Sequence, residues 1–169
     1  MSNLRLAGIV NDSITDGPGI RLVVFVQGCP HKCIGCHNQH THDFAGGYDQ
    51  NSSEILEMID NNPLLSGVTF SGGEPMCQAK ALLDLAKEVK KRKLELAIYT
   101  GYLFEDLIRS SDEKVELLKL ADILIDGPFI ISKKSLSLKF KGSSNQRVID
   151  IQKSLINNQV VLDETDRWN

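Results

Sequence analysis

The sequence predicts an α/β fold: an open, partial (β/α) barrel on a mostly parallel sheet. Three observations carry this. Residues 20–27, GIRLVVFV, form a near-continuous apolar run of strand length, as expected of a strand buried on both faces of a parallel sheet. Comparable short runs then alternate with segments of helical period, which implies right-handed crossovers between parallel strands. Only about four or five such strands are legible, too few to close an eight-stranded barrel.

Taken in order, Asp16-Gly17-Pro18-Gly19 reads as a tight turn before the first of these strands. A polar entry at Asn51–Ser53 leads into EILEMID, a helix with Ile55, Leu56 and Ile59 on one side. Val68–Phe70 is the next strand, and Ala79, Leu82, Leu83, Ala86 and Val89 stripe the helix after it at i, i+3, i+4, i+7 and i+10. Lys87, Lys90, Lys91 and Lys93 cluster at the end of that helix, where cations are favoured, and read as a solvated face. Leu94–Tyr99 follows as strand, then helical segments over 103–109 and 112–120, then Ile123–Ile125 as strand. Lys139, Phe140 and Lys141 precede GSSNQ in a loop or edge segment, either a solvated connection or part of the active-site side. The expected organisation is one domain over 1–160. Residues 161–169 are expected to be a flexible tail, because LDETDRWN is polar, with Trp168 a loosely held terminal side chain.

A chain of 169 residues suits one domain with a real core. Its net charge of −3 gives no electrostatic case for nucleic acid, where a basic face is expected. The longest wholly apolar run, Leu22–Val26, is far short of a membrane span or a signal-peptide core. The expectation is therefore a cytoplasmic protein with neither nucleic acid nor membrane as partner. Its thiols should be reduced, which suits metal binding over disulfides.

Cys29, Cys33 and Cys36 stand in QGCPHKCIGCHN with the spacing CxxxCxxC. Thiolates are soft ligands for iron–sulfur clusters, and a cubane cluster normally takes four of them. Three would leave one iron open to an exogenous molecule. The spacing alone also admits zinc, since His31, His37, His40 and His42 all lie in or just after the loop, and it admits a redox or structural thiol cluster. The fourth cysteine, Cys77, reads as a small buried hydrophobe at the start of a helix.

A second motif bears on the choice. Residues 68–76, VTFSGGEPM, are a β-rich run ending in Gly72-Gly73-Glu74. Adjacent glycines at a strand end let a ligand approach the backbone, and a carboxylate beside them can hold an ammonium group. An ordinary strand-to-helix turn would also use a glycine pair. The cysteine loop, Gly72–Glu74, Thr100–Gly101 and Asp126–Gly127 all follow strand ends. In α/β sheets ligands bind outside the carboxyl ends of strands, so four motifs converge on one rim.

Together the two motifs resemble the radical S-adenosylmethionine (SAM) superfamily. DGPGIRLVVFVQGCPHKCIGCHNQ at 16–39 is similar to the opening of its glycyl-radical-enzyme activases. IYTGY at 98–102, ILIDGPF at 123–129 and KGSSNQRVID at 141–150 are similar to the branch that activates anaerobic (class III) ribonucleoside-triphosphate reductases. The similarity runs from about Ile9 to Ile151, nearly the whole chain. The resemblance implies a radical-SAM-type barrel and a [4Fe–4S] cluster on Cys29, Cys33 and Cys36, with SAM on the fourth iron. It implies that Gly72, Gly73 and Glu74 receive the methionine end. Many superfamily members carry an aromatic residue before the third cysteine; here Gly35 stands there, as in the reductase activators, while His37 after Cys36 is similar to the formate-lyase-type activases. The adenine contact is accordingly expected over Gly35, Cys36 and His37.

The implied chemistry is reductive cleavage of SAM, with the resulting alkyl radical taking hydrogen from a glycine Cα on a loop of the reductase. A one-electron donor such as flavodoxin would supply the cluster. No acid–base residue is assigned, because the hard chemistry belongs to the cofactors. Two other readings stand beside this one: an activase for a formate-lyase-type enzyme, and a non-catalytic Cys/His metal-binding module.

Overall fold

The structure, a computed structural model, describes residues Met1–Asn169. Its apolar runs pair as expected. The strands β1 (Asn3–Ser13), β2 (Arg21–Val26), β3 (Tyr48–Asn51), β4 (Gly67–Gly72), β5 (Glu95–Tyr99), β6 (Ile123–Asp126) and β7 (Arg147–Asp150) form one open sheet in the order β3-β1-β2-β4-β5-β6-β7. The four central strands, β2, β4, β5 and β6, are parallel, as the strand–helix alternation predicts. The sheet is wider than the legible strands suggest, because antiparallel edges are added. β1 pairs with β2 and β3 with β1 on one side, and β7 pairs with β6 on the other.

The helices are α1 (Ser52–Asp60), α2 (Ala79–Lys91), α3 (Phe104–Leu107), α4 (Asp112–Leu120) and α5 (Ile151–Asn157). The polar entry to α1 works as an N-cap: the Asn51 side chain accepts from the Ser53 N–H at 2.9 Å, satisfying one of the amides that a helix start leaves open. The stripe foreseen for α2 is buried, and Lys90 reaches Asp122 at the start of β6, so that end of the helix is tied to the sheet as well as solvated. No helix is long and apolar enough to cross a membrane.

Strand alternation sorts the core into two unequal parts. Leu22, Val24, Val26, Phe70, Leu96, Ile98 and Leu124 point to the helices and form the main cluster, all fully buried. The opposite, concave face carries no helix. On it Ala97, Ile123, Ile125 and Val148 pack with Trp168 from the C-terminus, against Tyr99 and Phe140.

The expected flexible tail is therefore corrected. Trp168 is 1% exposed. Leu162 bridges to Ile149, the Asp163 N–H donates to the Val148 carbonyl at 2.9 Å, and Arg167 pairs with Glu95 at 3.2 Å. The polar residues of 161–169 face outward while one large aromatic anchors the segment, which a polarity count overlooks.

At the amino ends of the strands Arg21 is fully buried. It crosses the bare backbone of Gly67, where a Cβ would lie 2.6 Å from its guanidinium, and pairs with Glu95 at 2.9 Å. Thr69 Oγ1 and the carbonyls of Pro18, Val68 and Glu95 accept its remaining N–H groups. Desolvation pulls the guanidinium below its ordinary pKa, and Glu95 opposes that shift.

Candidate active site

The cysteine loop begins where β2 ends. Gly28, at φ +104°, turns the chain out of the sheet, and its N–H donates to the Thr41 carbonyl at 2.6 Å. The Cys29 N–H donates to the His42 carbonyl, and Gln27 Nε2 donates to the Asp43 carbonyl at 2.7 Å, so both limbs of the loop are sewn together at its base. Lys32 and Gly35 adopt left-handed backbone, which curls the segment between the cysteines. Cys29, Cys33 and Cys36 are all half-buried, and all three line one cleft. The Asn38 N–H donates to Cys36 Sγ at 3.4 Å, an interaction that strengthens on a thiolate. Burial pushes the Cys29 thiol up to about 11, and Glu74 adds in the same direction. A metal binding there must displace a proton.

β4 delivers the second motif to the same cleft. Gly72, at φ +94°, and Gly73 line it beside the cysteines. The close approach that these glycines permit is made first by the protein itself. The Gly73 N–H donates to the Val26 carbonyl and the Glu74 N–H to the Gly28 carbonyl, both at 2.8 Å, and a Cβ on Gly73 would overlap that Gly28 carbonyl.

Glu74 lies beneath, 1% exposed, with its acceptor positions filled from within the chain. Oε1 accepts from the Met76 N–H at 3.0 Å and Thr100 Oγ1 at 2.9 Å. Oε2 accepts from the Gly101 N–H at 2.8 Å and lies 2.6 Å from His31 Nε2. A carboxylate offers about four lone-pair sites, so an incoming ammonium could join only where His31 now stands. That role of His31 has no signature in sequence, where it counts only as one of four loop histidines.

The third and fourth strand ends complete the rim. Thr100 and Gly101 follow β5, and Gly127 and Phe129 follow β6, all lining the cleft. Phe129 stands edge-on to His37 with ring centroids 5.4 Å apart, and Gly35 faces the Ile131 side chain, whose Cδ1 would lie 2.5 Å from a Cβ there. Gly35 and His37 thus lie on the side of the loop turned toward residues 129–131. GSSNQ braces this wall: Gln146 Nε2 donates to the Gly127 carbonyl at 3.0 Å and Asn145 Nδ2 to the Pro128 carbonyl at 2.8 Å. Tyr99 also lines the cleft, its hydroxyl donating to the Phe140 carbonyl at 2.7 Å. Burial raises that hydroxyl well above the usual tyrosine range, so it stays a donor.

Cys77 departs from expectation. It is exposed, while Met76 beside it takes the buried place at 1% exposure. The short 3₁₀ turn Pro75–Gln78 sets which of the two neighbours faces inward.

The donor set suits an iron–sulfur cluster: three soft thiols on one curled loop, with backbone amides near the sulfur. A cubane takes one thiolate at each of separate irons.

Comparison with known proteins agrees. A family model described as a 4Fe-4S single cluster domain matches residues 15–149. The anaerobic ribonucleoside-triphosphate reductase-activating protein of Vibrio cholerae is 36% identical over 141 residues, covering 79% of this chain and 89% of that one. Its namesake from enterobacteria phage T4 is 35% identical over 141 residues, covering 79% and 85%. The pyruvate formate-lyase-activating enzyme of Clostridium pasteurianum is 37% identical over 139 residues, covering 77% of this chain but 58% of that enzyme. Fold, thiol loop and relatives define an iron–sulfur enzyme of the radical SAM glycyl-radical activase class. The zinc and non-catalytic readings left open by the cysteine spacing are thereby closed. Within that class, the chain belongs to the family of anaerobic ribonucleoside-triphosphate reductase-activating proteins.

Proposed function

We propose that this protein reductively cleaves SAM and installs a glycyl radical on a glycine-bearing loop of an anaerobic ribonucleoside-triphosphate reductase. The observation that carries this is the convergence of Cys29, Cys33, Cys36, Gly72, Gly73, Thr100 and Gly127 on one open cleft at the carboxyl rim of the sheet. Cys29, Cys33 and Cys36 hold a [4Fe–4S] cluster, one thiolate to an iron. When bound, the cluster and SAM supply one-electron cleavage of the sulfonium and an alkyl radical able to take hydrogen from a glycine Cα. The chain's own residues bind, orient and exclude water. The backbone of Gly72 and Gly73 faces the methionine end, with Glu74 below it. Gly35, Cys36 and His37 meet the adenosine end. The open side of the sheet leaves room for a peptide backbone.

The electron comes from a small one-electron donor of the flavodoxin type. A reducing cytoplasm is the compartment that suits thiols kept for metal binding.

The test is anaerobic reconstitution with iron and sulfide, followed by mixing with the reductase, SAM and a reductant under electron paramagnetic resonance. A glycyl doublet should appear only with the complete set, and should lose its α-hydrogen splitting when the reductase glycine is deuterated. A second arm contains a formate-lyase-type enzyme, because the C. pasteurianum relative is as similar in the aligned region as the reductase activators and His37 suits that group. A doublet in that arm alone would reassign the partner.

A further inference from the structure

The concave face of the sheet is lined by small side chains at its centre. Register aligns Arg21, Gly67 and Glu95 in the lowest layer, Val23, Thr69 and Ala97 in the next, and Phe25 with Ser71 nearest the rim, where Tyr99 ends β5. Glycine, threonine and alanine leave a hollow in the middle. A closed barrel fills its interior with layers of side chains from the strands themselves. Here the Arg21 side chain covers Gly67, and the indole of Trp168, coming from outside the sheet, packs with Ala97 above it.

Trp168 touches both ends of this column. Below, the Arg21 guanidinium lies 5.4 Å from the ring centroid. Above, Phe140 meets the indole edge-on at 5.4 Å, and the Phe140 carbonyl accepts from the Tyr99 hydroxyl. Tyr99 and Phe140 then line the hollow that reaches Cys36 and His37. The tail is also latched to this wall directly, since Lys139 Nζ donates to the Asp166 carbonyl. Residues 150–169 lie beyond the 15–149 stretch that the 4Fe-4S family model matches.

We propose that Trp168 is a positioning residue for the reaction: the C-terminal strap plugs the floor of the half-barrel and, through Phe140 and Tyr99, sets the wall of the cleft beside the cysteine loop. The proposal rests on the reading of that cleft as the reaction site. Trp168 touches no reacting atom. Its part is to fix Tyr99 and Phe140 and keep water from rising through the concave face. Loss of the plug should therefore harm alignment between the radical and the glycine more than cluster assembly or SAM binding. Misplacement of a reacting pair by about 1 Å can cost about 100-fold in rate.

Trp168 is the chain's single tryptophan, so its fluorescence reads the strap alone. In the metal-free protein its emission should be blue-shifted and poorly quenched by acrylamide. Tyr99→Phe, which removes the hydroxyl bond to Phe140, should raise quenching at least two-fold. Solvent-like emission in the wild type, or a Tyr99→Phe protein quenched like the wild type, would overturn the linkage without reference to activity.

The reconstituted Trp168→Ala protein should keep wild-type iron content. Its yield of glycyl radical per 5′-deoxyadenosine should fall about 10-fold or more, with recovery in Trp168→Phe. If Trp168→Ala fails to fold, Trp168→Leu, which keeps most of the volume but not the aromatic edge, carries the same readout. Unchanged coupling, or equal loss of iron, SAM binding and coupling together, would mean the strap is structural only. A wild type that makes no glycyl radical with any partner would instead strike the reading of the cleft and leave the fluorescence result standing.

Discussion

His31 Nε2 lies 2.6 Å from the Glu74 carboxylate, which joins the middle of the cysteine loop to the ends of β4 and β5. Glu74 is bound at the same time to the amide of Gly101 and the hydroxyl of Thr100, so it ties three of the four motif-bearing strand ends together. His31 also packs edge-on against Tyr102, with centroids 4.6 Å apart. The loop that carries the thiols is therefore latched before any cofactor arrives.

Removing the latch should loosen the loop without unfolding the sheet. A lost hydrogen bond to a buried carboxylate costs about 1–3 kcal/mol, or about 5- to 150-fold in how often the loop opens. His31→Ala should thus lose its cluster several-fold faster under an anaerobic chelator challenge. Because His31 holds the one edge of Glu74 that an ammonium could take, SAM affinity per intact cluster should not weaken. Wild-type cluster lifetime with weakened SAM binding would reverse both assignments.

Gly73 gives a sharper test of how the glycine pair works. A Cβ there overlaps the Gly28 carbonyl, which already accepts from the Glu74 amide. Backbone has no rotamer by which to yield, and overpacking of this kind costs about 1–3 kcal/mol. Gly73→Ala should lower the melting temperature and the iron content together, since the atom displaced belongs to the entrance of the cysteine loop. A variant that assembles a normal cluster and loses only SAM affinity would show that the glycine serves the ligand instead.

The central sheet was legible because its strands are apolar runs of the right length, and α1 and α2 because their buried residues recur at helical spacing. The edges were not. β1 breaks its alternation at two irregularities, between Leu6 and Gly8 and between Val10 and Ser13, so no period survives across it. β3 reads YDQN, a polar edge with no core face of its own, and β7 is four residues emerging from what looks like a loop. The rim was legible because cysteines and glycines mark strand ends. The connections across it were not: His31 to Glu74, Gln146 to Gly127 and Trp168 to Phe140 join residues whose sequence neighbourhoods carry no sign of each other.

Arg147 illustrates such a connection at the other end of the rim. Its Nε donates to Asp126 at 2.9 Å, and its terminal nitrogens hold Glu105 at 3.0 and 2.8 Å. Asp126 is fully buried at the end of β6, just before Gly127 and Phe129. Arg147→Ala would leave that carboxylate with the Phe104 amide as its remaining donor. The expected cost is about 2–4 kcal/mol, since one partner of a buried pair is removed from a partly solvated position. Arg147→Lys should recover only part, because an ammonium cannot bridge two carboxylates as the planar fork does. Arg147 also holds the Glu105 carboxyl below its usual range. That contribution is in place above the unfolded carboxyl pKa of about 4.3 and fades as pH falls through the lower folded value. Urea titrations from pH 6 to pH 3 should show this acid limb in the wild type and a shallower one in Arg147→Ala; parallel curves would refute the assignment.

The cysteines supply the most direct test of the centre itself. Cys29, Cys33 and Cys36 share one cleft, whereas Cys77 is exposed on the turn after Glu74. On the proposed assignment of these three thiolates to a cubane, loss of any one leaves two irons without a protein ligand, and such a cluster should not persist. Alanine at position 29, 33 or 36 should each remove the brown chromophore and abolish SAM cleavage by at least about 100-fold. Cys77→Ala should retain iron, sulfide and cleavage at wild-type levels, as expected of an exposed thiol with no part in the cleft. A Cys33→Ala protein with full iron content and full cleavage would show that the metal sits elsewhere.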